Sequence, residues 1–304
     1  MIEKTAIKIK NLKKIYDNKF EALKGIDLKI PKGSFYGLLG PNGAGKTTTI
    51  GAISGLVNYK IGTIDVLGYD NKRDFRIARK LIGLSPQELN FDVFFSIRKV
   101  LEFQAGYYGY SPKDSKERAD MMLNQFGLEE KQNNSCRELS GGMKRRLQIA
   151  KALIHDPEIL ILDEPTAGVD IELRYMLWDF LKKINQQGKT ILLTTHYIEE
   201  AEKLCDKIAI IDNGKIIVDD NTESLKEKNG ISNISIECDR PAKDFNFDNL
   251  DYTVNDKIIS INTKQPTKNL PTILKILTEL NLSIVNIELK KSNLEQVFLK
   301  LTKK

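Results

Sequence analysis

The sequence predicts an α/β protein: a parallel sheet covered on both faces by helices, followed by a second, smaller α/β domain. Three observations predict it. Short apolar runs alternate with helical patterns along most of the chain, as βαβ units require. The run Phe35–Leu39 leads straight into a glycine-rich turn and a helix. After about Asp220 the composition shifts toward asparagine and lysine, and a new alternation begins. The two domains are accordingly expected at residues 1–221 and 222–304.

The opening MIEKTAIKIK alternates apolar and charged residues and, with residues 22–26, Leu28 and Ile30, reads as antiparallel strands. Phe35–Leu39 is an apolar strand, and the helix behind its turn starts at about Gly45. Residues 62–67 and 80–84 read as further strands. From Ser96 to about Cys136 the pattern is helical and polar, with Val100, Leu101, Phe103, Met121, Met122, Leu123 and Phe126 at its apolar positions. A helix over 141–154 stops before Pro157, because the residue preceding a proline avoids the α region. Residues 159–162 form a buried strand, 173–184 an amphipathic helix, Thr190–Thr195 a strand and Ile198–Leu204 a helix. In the second domain 231–237 reads as a strand, and Asn255-Asp256 as a hairpin turn between 252–254 and 258–261. A helix over 270–280, a strand over 283–289 and a last helix over 294–301 complete it.

Composition excludes several functions. Lys+Arg 47 against Asp+Glu 41 gives a net charge of +6, and residues 221–304 hold 13 basic and 11 acidic side chains, so the excess is spread along the chain. Nucleic-acid binding needs a concentrated basic footprint, so no nucleic-acid partner is expected. A mild positive charge suits an anionic membrane face. The longest apolar run is four residues, at 159–162, where a membrane-spanning helix needs about 20. The alternating N-terminus is no secretion signal, and a cytoplasmic protein is expected. Cys136, Cys205 and Cys238 have no metal-ligand spacing and read as reduced thiols. With His155 and His196 the only histidines, a multi-histidine metal site is excluded.

Gly40-Pro41-Asn42-Gly43-Ala44-Gly45-Lys46-Thr47 fits G-x-x-x-x-G-K-[ST] at every position, between a strand and a helix. Glycines let the backbone curl so that successive N–H groups face a polyphosphate, and the helix that starts there adds its dipole. Lys46 then reaches the β and γ phosphates, the Thr47 hydroxyl ligates Mg²⁺, and Thr48 continues the cradle. Residues 159–162 end in Asp163-Glu164, and in open α/β sheets the chemistry sits at the carboxyl ends of strands. Asp163 can hold Mg²⁺ through water, and Glu164 can polarise the attacking water.

Leu139-Ser140-Gly141-Gly142-Met143 decides the class. This signature, the phosphate loop, the Asp-Glu pair, Ala167-Gly168-Val169-Asp170 and Thr194-Thr195-His196 together resemble the nucleotide-binding subunit of an ATP-binding cassette (ABC) transporter, over about residues 5–220. The resemblance implies a P-loop fold with a RecA-like parallel core, an antiparallel β subdomain and a helical subdomain. It implies ATP and Mg²⁺ as cofactors. Tyr16 stands where the family stacks an aromatic ring on adenine. Gln87 matches the glutamine that reaches Mg²⁺ and the attacking water. Ser140, Gly141 and Gly142 match the signature that closes over ATP held by the opposite subunit of a head-to-tail dimer. Asp170 matches the residue that couples the two sites, and His196 the histidine that contacts the γ-phosphate. The catalytic set implied is Glu164, His196 and Gln87, with Asp163, Thr47 and Gln87 at the metal.

Phe91-Asp92-Val93-Phe94-Phe95 follows Gln87 closely. In the family a short permease helix lies beside this loop, and Phe94 or Phe95 is expected to face that groove. Tyr107, Tyr108 and Tyr110 read as an aromatic packing cluster. The ending, residues 293–302, resembles the LE-x-VF-x-x-L tail of ATPases that serve ABC-2-type exporters, and the short α/β tail, GGMKRRL and GVDIEL point the same way. The partners implied are a separately encoded ABC-2-type permease and a second ATPase subunit, at the inner face of the cell membrane. A non-transport ABC ATPase acting on ribosomes or nucleic acid is the alternative. One phosphate loop, one signature and no heptad run argue against it. An importer ATPase of the sugar type would carry a longer, β-rich tail.

Overall fold

The computed structural model describes residues 4–230, 232–241, 247, 250–290 and 292–302. The chain divides into two compact units, Met1–Asp219 and Asp220–Lys304.

The first unit opens with β1 (Thr5–Ile15) and β2 (Glu21–Pro31), paired antiparallel with Ile9 opposite Leu28. β3 (Phe35–Leu39) is buried at every residue and leads into α1 (Lys46–Ser54). β4 (Ile61–Val66) returns to pair antiparallel with β1, and the short β5 (Tyr69–Asp70) extends that sheet. α2 (Phe75–Lys80) and β6 (Ile82–Ser85) follow. Then come three helices, α3 (Ile97–Tyr107), α4 (Pro112–Gln125) and α5 (Gly141–Leu153). Each starts at a serine whose hydroxyl accepts a backbone N–H of the first turn: Ser96 from Lys99, Ser111 from Asp114, Ser140 from Met143. β7 (Ile159–Asp163), α6 (Ile171–Gln186), β8 (Thr190–Thr195), α7 (Ile198–Leu204), β9 (Lys207–Asp212) and β10 (Lys215–Asn221) complete the order.

Two sheets result, β2-β1-β4-β5 and β10-β9-β3-β8-β7-β6. Within the second, the β9–β3, β3–β8, β8–β7 and β7–β6 pairs are parallel. β3, β7 and β8 are buried at every position, so they read as continuous apolar runs and not as alternations. The core joins both sheets through Ile7, Leu23, Leu38, Ile53, Ile161 and Leu192. Each such side chain contributes about 1.5–3 kcal/mol by leaving water. Register decides where function can sit. Leu39 lies opposite Thr195, Asp163 opposite Thr194, and Ser85 opposite Leu162. The carboxyl ends of β3, β6, β7 and β8 therefore fall together.

The second unit contains α8 (Thr222–Asn229), β11 (Ser232–Cys238), β12 (Asp251–Asn255), β13 (Ile258–Thr263), α9 (Pro266–Glu279), β14 (Ile284–Lys290) and α10 (Leu294–Thr302). Its antiparallel sheet runs β12-β13-β11-β14. Ile234, Ile236, Ile259 and Ile261 on the strands pack with Ile273 and Leu277 of α9 and with Phe247.

Several sequence expectations shift. The strand expected at 80–84 starts at Ile82, because α2 runs through Lys80. The helical stretch after Ser96 is two long helices and two short turns. β9, β10, α2 and α8 were not anticipated. The hairpin turn is Asp256-Lys257, one residue later than expected, with Asn255 paired to Ile258 and Asp256 at φ +54°. Met1–Glu3 of the opening stretch and Ile231 of the predicted strand lie outside the described residues. Tyr107, Tyr108 and Tyr110 form no cluster: Tyr107 is exposed, Tyr108 stacks on His155 with ring centroids 3.6 Å apart, and Tyr110 lies under Arg118. Cys136, Cys205 and Cys238 are buried and form no disulfide among the described residues. Among the described residues, no helix is long and apolar enough to cross a membrane.

Candidate nucleotide site

The phosphate loop follows β3 and turns on glycine. Gly43 and Gly45 stand at φ +79° and +113°, and a Cβ on Gly40 would come within 2.2 Å of the Ile211 carbonyl oxygen. The loop is therefore fixed by backbone that other residues cannot replace. Lys46 begins α1 and is 6% exposed; its Nζ donates to the carbonyls of Gly40 at 2.7 Å and Pro41 at 3.1 Å. Burial lowers its pKa, while the charges of Glu164 and Asp163 oppose that shift. Pro41, Asn42, Gly43 and Thr47 are exposed, and Ala44 is buried. Tyr16, just beyond β1, places its hydroxyl 3.4 Å from the Thr48 hydroxyl, with the Lys14 ammonium 4.7 Å from its ring centre. A ring that sequence separates from the loop by some thirty residues thus borders it.

Asp163 ends β7, nearly buried, and accepts a hydrogen bond from the Thr194 hydroxyl of the neighbouring strand. Glu164 follows at φ +50°, unusual for a residue with a side chain, and its N–H donates to the Thr194 carbonyl at 2.9 Å. That turn aims the Glu164 carboxylate at two partners. Gln87, in the loop after β6, donates its amide to Glu164 Oε2 at 3.2 Å. His196, directly after β8, places Nδ1 3.0 Å from the same oxygen. The four strand ends therefore bring together Lys46, Asp163, Glu164, Gln87 and His196.

Ser140, Gly141, Gly142 and Asp170 stand apart. Ser140 is exposed and caps α5, its hydroxyl taking the Met143 N–H at 3.3 Å; Asp170 caps α6 through the Leu173 N–H at 2.9 Å. Among the described residues no hydrogen bond joins these four to the phosphate loop, Asp163, Glu164 or His196. Gly142 meets α6 closely: a Cβ there would lie 2.2 Å from Leu173 Cδ1. Phe94 is 86% exposed, whereas Phe95 packs edge-on against Phe103 at 4.9 Å. The groove beside Gln87 is lined by Phe91, with Leu56, Arg79, Leu84, Pro86 and Tyr108. Phe91 and Tyr108 are its aromatic lining residues, and Phe94 and Phe95 stand outside it.

Two features escaped sequence reasoning. Thr194 orients Asp163; its place directly before Thr195-His196 was the available signal. Glu200 of α7 is fully buried, accepts the Trp178 indole N–H at 3.0 Å, and lies against the hydroxyls of Thr195 and Thr166. Burial raises its carboxyl pKa, opposed by these polar neighbours and by the charge of Arg174. Nothing local in the sequence separates this acid from its exposed neighbours on α7.

A backbone cradle for phosphate, set beside a carboxylate that an amide and an imidazole both hold, makes this chain a phosphate-loop nucleotide hydrolase. Residues 23–167 match the family described as "ABC transporter". The linearmycin resistance ATP-binding protein LnrL of Bacillus subtilis (strain 168) is 36% identical over 97% of this chain and 98% of that protein. The daunorubicin resistance ATP-binding protein DrrA3 of Streptomyces coeruleorubidus is 34% identical over 98% and 96%. The Nod factor export ATP-binding protein I of Burkholderia orbicola (strain AU 1054) is 41% identical over 73% and 72%. Among solved structures, the dimeric post-hydrolysis state of an ATP-binding cassette bound to ADP and Pi superposes with a TM-score of 0.65 at 28% identity, covering 71% of this chain and 98% of that one. The chain belongs to the ABC transporter family, among the ATP-binding subunits of its ABC-2-type exporters, and is an ATPase.

Proposed function

We propose that two copies of this chain close head to tail over two Mg²⁺-ATP and drive a separately encoded ABC-2-type permease from the cytoplasmic face of the membrane. The observation that carries the hydrolytic reading is the shared oxygen: Gln87 and His196 both bind Glu164 Oε2, which fixes the carboxylate. Tyr16 borders the adenine side, and the amides of Gly40–Thr48 take the phosphates with Lys46. Glu164 and His196 then orient water in line with the γ-phosphate, catalysis by positioning and electrostatics.

The metal donors fit. Thr47 Oγ1, an Asp163 carboxylate and the Gln87 amide oxygen are all hard oxygen donors, which suits Mg²⁺. The Gln87 amide nitrogen, not its oxygen, is the atom engaged with Glu164. Bound with ATP, Mg²⁺ would neutralise charge on the β and γ phosphates.

The solitary signature supports the dimer. Ser140, Gly141 and Gly142 sit at an exposed helix N-terminus, where free amides and the helix dipole favour an anion. ATP on the facing subunit supplies that anion, and Asp170 lies at the start of the adjoining helix. The groove lined by Phe91 and Pro86 adjoins Gln87, which suits a permease helix that reports to the site.

The test uses Glu164→Gln expressed at native level, with Mg²⁺-ATP and gentle lysis. The expected result is recovery with membranes together with a multi-spanning protein. Recovery with ribosomes or chromatin and no membrane partner would overturn the exporter reading and leave the ATPase standing. Phe91→Asp, half-buried on the groove beside Gln87, tests the docking reading: transport should fall while basal ATPase stays intact.

A further inference from the structure

The loop that carries Gln87 has little backbone structure of its own. From Pro86 to Asn90 the chain forms neither helix nor strand. It is held instead by two side chains of α5, the helix that Ser140 caps. Arg145 donates through Nη1 to the Pro86 carbonyl and through Nη2 to the Gln87 carbonyl, each at 3.2 Å. Gln148, one turn further on, donates to the Pro86 carbonyl at 2.9 Å and the Glu88 carbonyl at 2.7 Å. Arg145 Nη1 also donates to Gln148 Oε1 at 3.0 Å, which locks the pair together. Residues three apart share one helix face, so a single face of α5 grips three consecutive carbonyls.

Both side chains are buried, Arg145 at 5% and Gln148 at 4% exposure. A guanidinium cannot shed its charge there, and carbonyl partners are what make its burial tolerable. Burial lowers its pKa, and Asp163, Glu164 and Glu200 oppose the shift, so the cation also faces the carboxylates of the site.

We propose that Arg145 and Gln148 are positioning residues that fasten the Gln87 loop to the signature helix, so that Ser140 and Gln87 move as one part. The inference rests on the reading of Gln87 and Glu164 as hydrolytic partners. Ser140 and Arg145 are separated by about 1.5 Å of helix rise per residue, within one and a half turns. A displacement of α5 at its signature end is thereby delivered to the Gln87 backbone. The Gln87 side chain, 3.2 Å from Glu164 Oε2, carries it to the carboxylate. Closure over nucleotide at the signature and the Gln87–Glu164 contact are thereby mechanically joined.

A double-mutant cycle on the full-length ATPase tests this, with kcat and KM for ATP read for each variant. Gln148→Met keeps the shape and the Arg145 charge but removes both of its donations to the loop. It should lower kcat about 10- to 100-fold, the scale of a misplaced catalytic group, and leave KM unchanged. Gln87→Ala should lower kcat similarly, and adding Gln148→Met to it should cost nothing more. Arg145→Lys, which retains a donor, should be milder than Arg145→Ala. If the Arg145 variants fail to fold, the Gln148→Met cycle still decides. Multiplying losses in the double variant, or an unchanged kcat in Gln148→Met, would overturn the clamp alone. An unchanged kcat in Gln87→Ala would remove the hydrolytic role of Gln87 and the clamp with it.

Discussion

Nδ1 of His196 lies 3.0 Å from Oε2 of Glu164, so the imidazole donates its Nδ1 proton to the carboxylate and turns Nε2 outward. The Gln87 amide takes the same oxygen at 3.2 Å. Two residues from different strand ends thus set one carboxylate's orientation, and the strained φ of Glu164 supplies the third constraint.

Glu164→Gln should abolish turnover while sparing ATP binding, with a loss of at least about 10²-fold in kcat, the ordinary contribution of a general base. Phosphate release measures turnover. Light scattering with Mg²⁺-ATP should show the variant accumulating as a dimer.

His196→Ala removes one of the two groups that hold Oε2. We expect a loss of about 10²-fold in kcat with KM for ATP little changed, because the imidazole orients a reacting group. Steady-state kinetics settle it, and a raised KM with normal kcat would count against the assignment.

Thr194→Val is nearly isosteric and takes the hydroxyl from buried Asp163. A lost hydrogen bond to a buried charge costs about 1–3 kcal/mol, so chemical denaturation should show that destabilisation. If Asp163 serves the metal, the Mg²⁺ concentration for half-maximal ATPase should rise as well.

Gly142→Ala pushes a methyl against Leu173. Overpacking of this kind costs about 1–3 kcal/mol, and the Leu173 side chain, on the first turn of α6, must turn aside to admit the methyl. Leu173→Ala in the same chain should restore the thermal midpoint, which calorimetry can read.

His155 adds a pH dependence. Burial depresses its pKa to about 4, against the Ile82 carbonyl and Asp156, with Arg118 and Lys189 lowering it further. The native state keeps the ring neutral. As pH falls from about 6.5 toward 4, the unfolded chain binds a proton that the folded chain refuses, so stability is lost through that window. Above it the residue contributes no slope. Thermal unfolding across this range should be steeper for the wild type than for His155→Phe, which keeps an aromatic ring over Tyr108.

The sequence disclosed what is local. The phosphate loop, Asp163-Glu164 and the signature are runs of a few residues whose types dictate their conformation, and β3, β7 and β8 announce themselves as continuous apolar strands. Hydrogen bonds between distant segments left no such trace. Gln87 and Glu164 are 77 positions apart, and Arg145 and Pro86 are 59 apart. Register and burial, not spacing, make them neighbours. Short elements were lost for another reason: α2 has six residues, too few to show a helical period. The hairpin slipped by one because Asp256, not Asn255, takes the left-handed conformation.

The protein holds a single tryptophan, and it is Trp178, 4% exposed, with its indole N–H on Glu200. Glu200 lies against Thr195, the residue before His196, and Thr166, two after Glu164. The chain therefore carries its own optical gauge. Ultraviolet emission from this one ring, with no label attached, should be blue at rest and shift whenever nucleotide rearranges either loop, which allows stopped-flow kinetics on the unmodified protein.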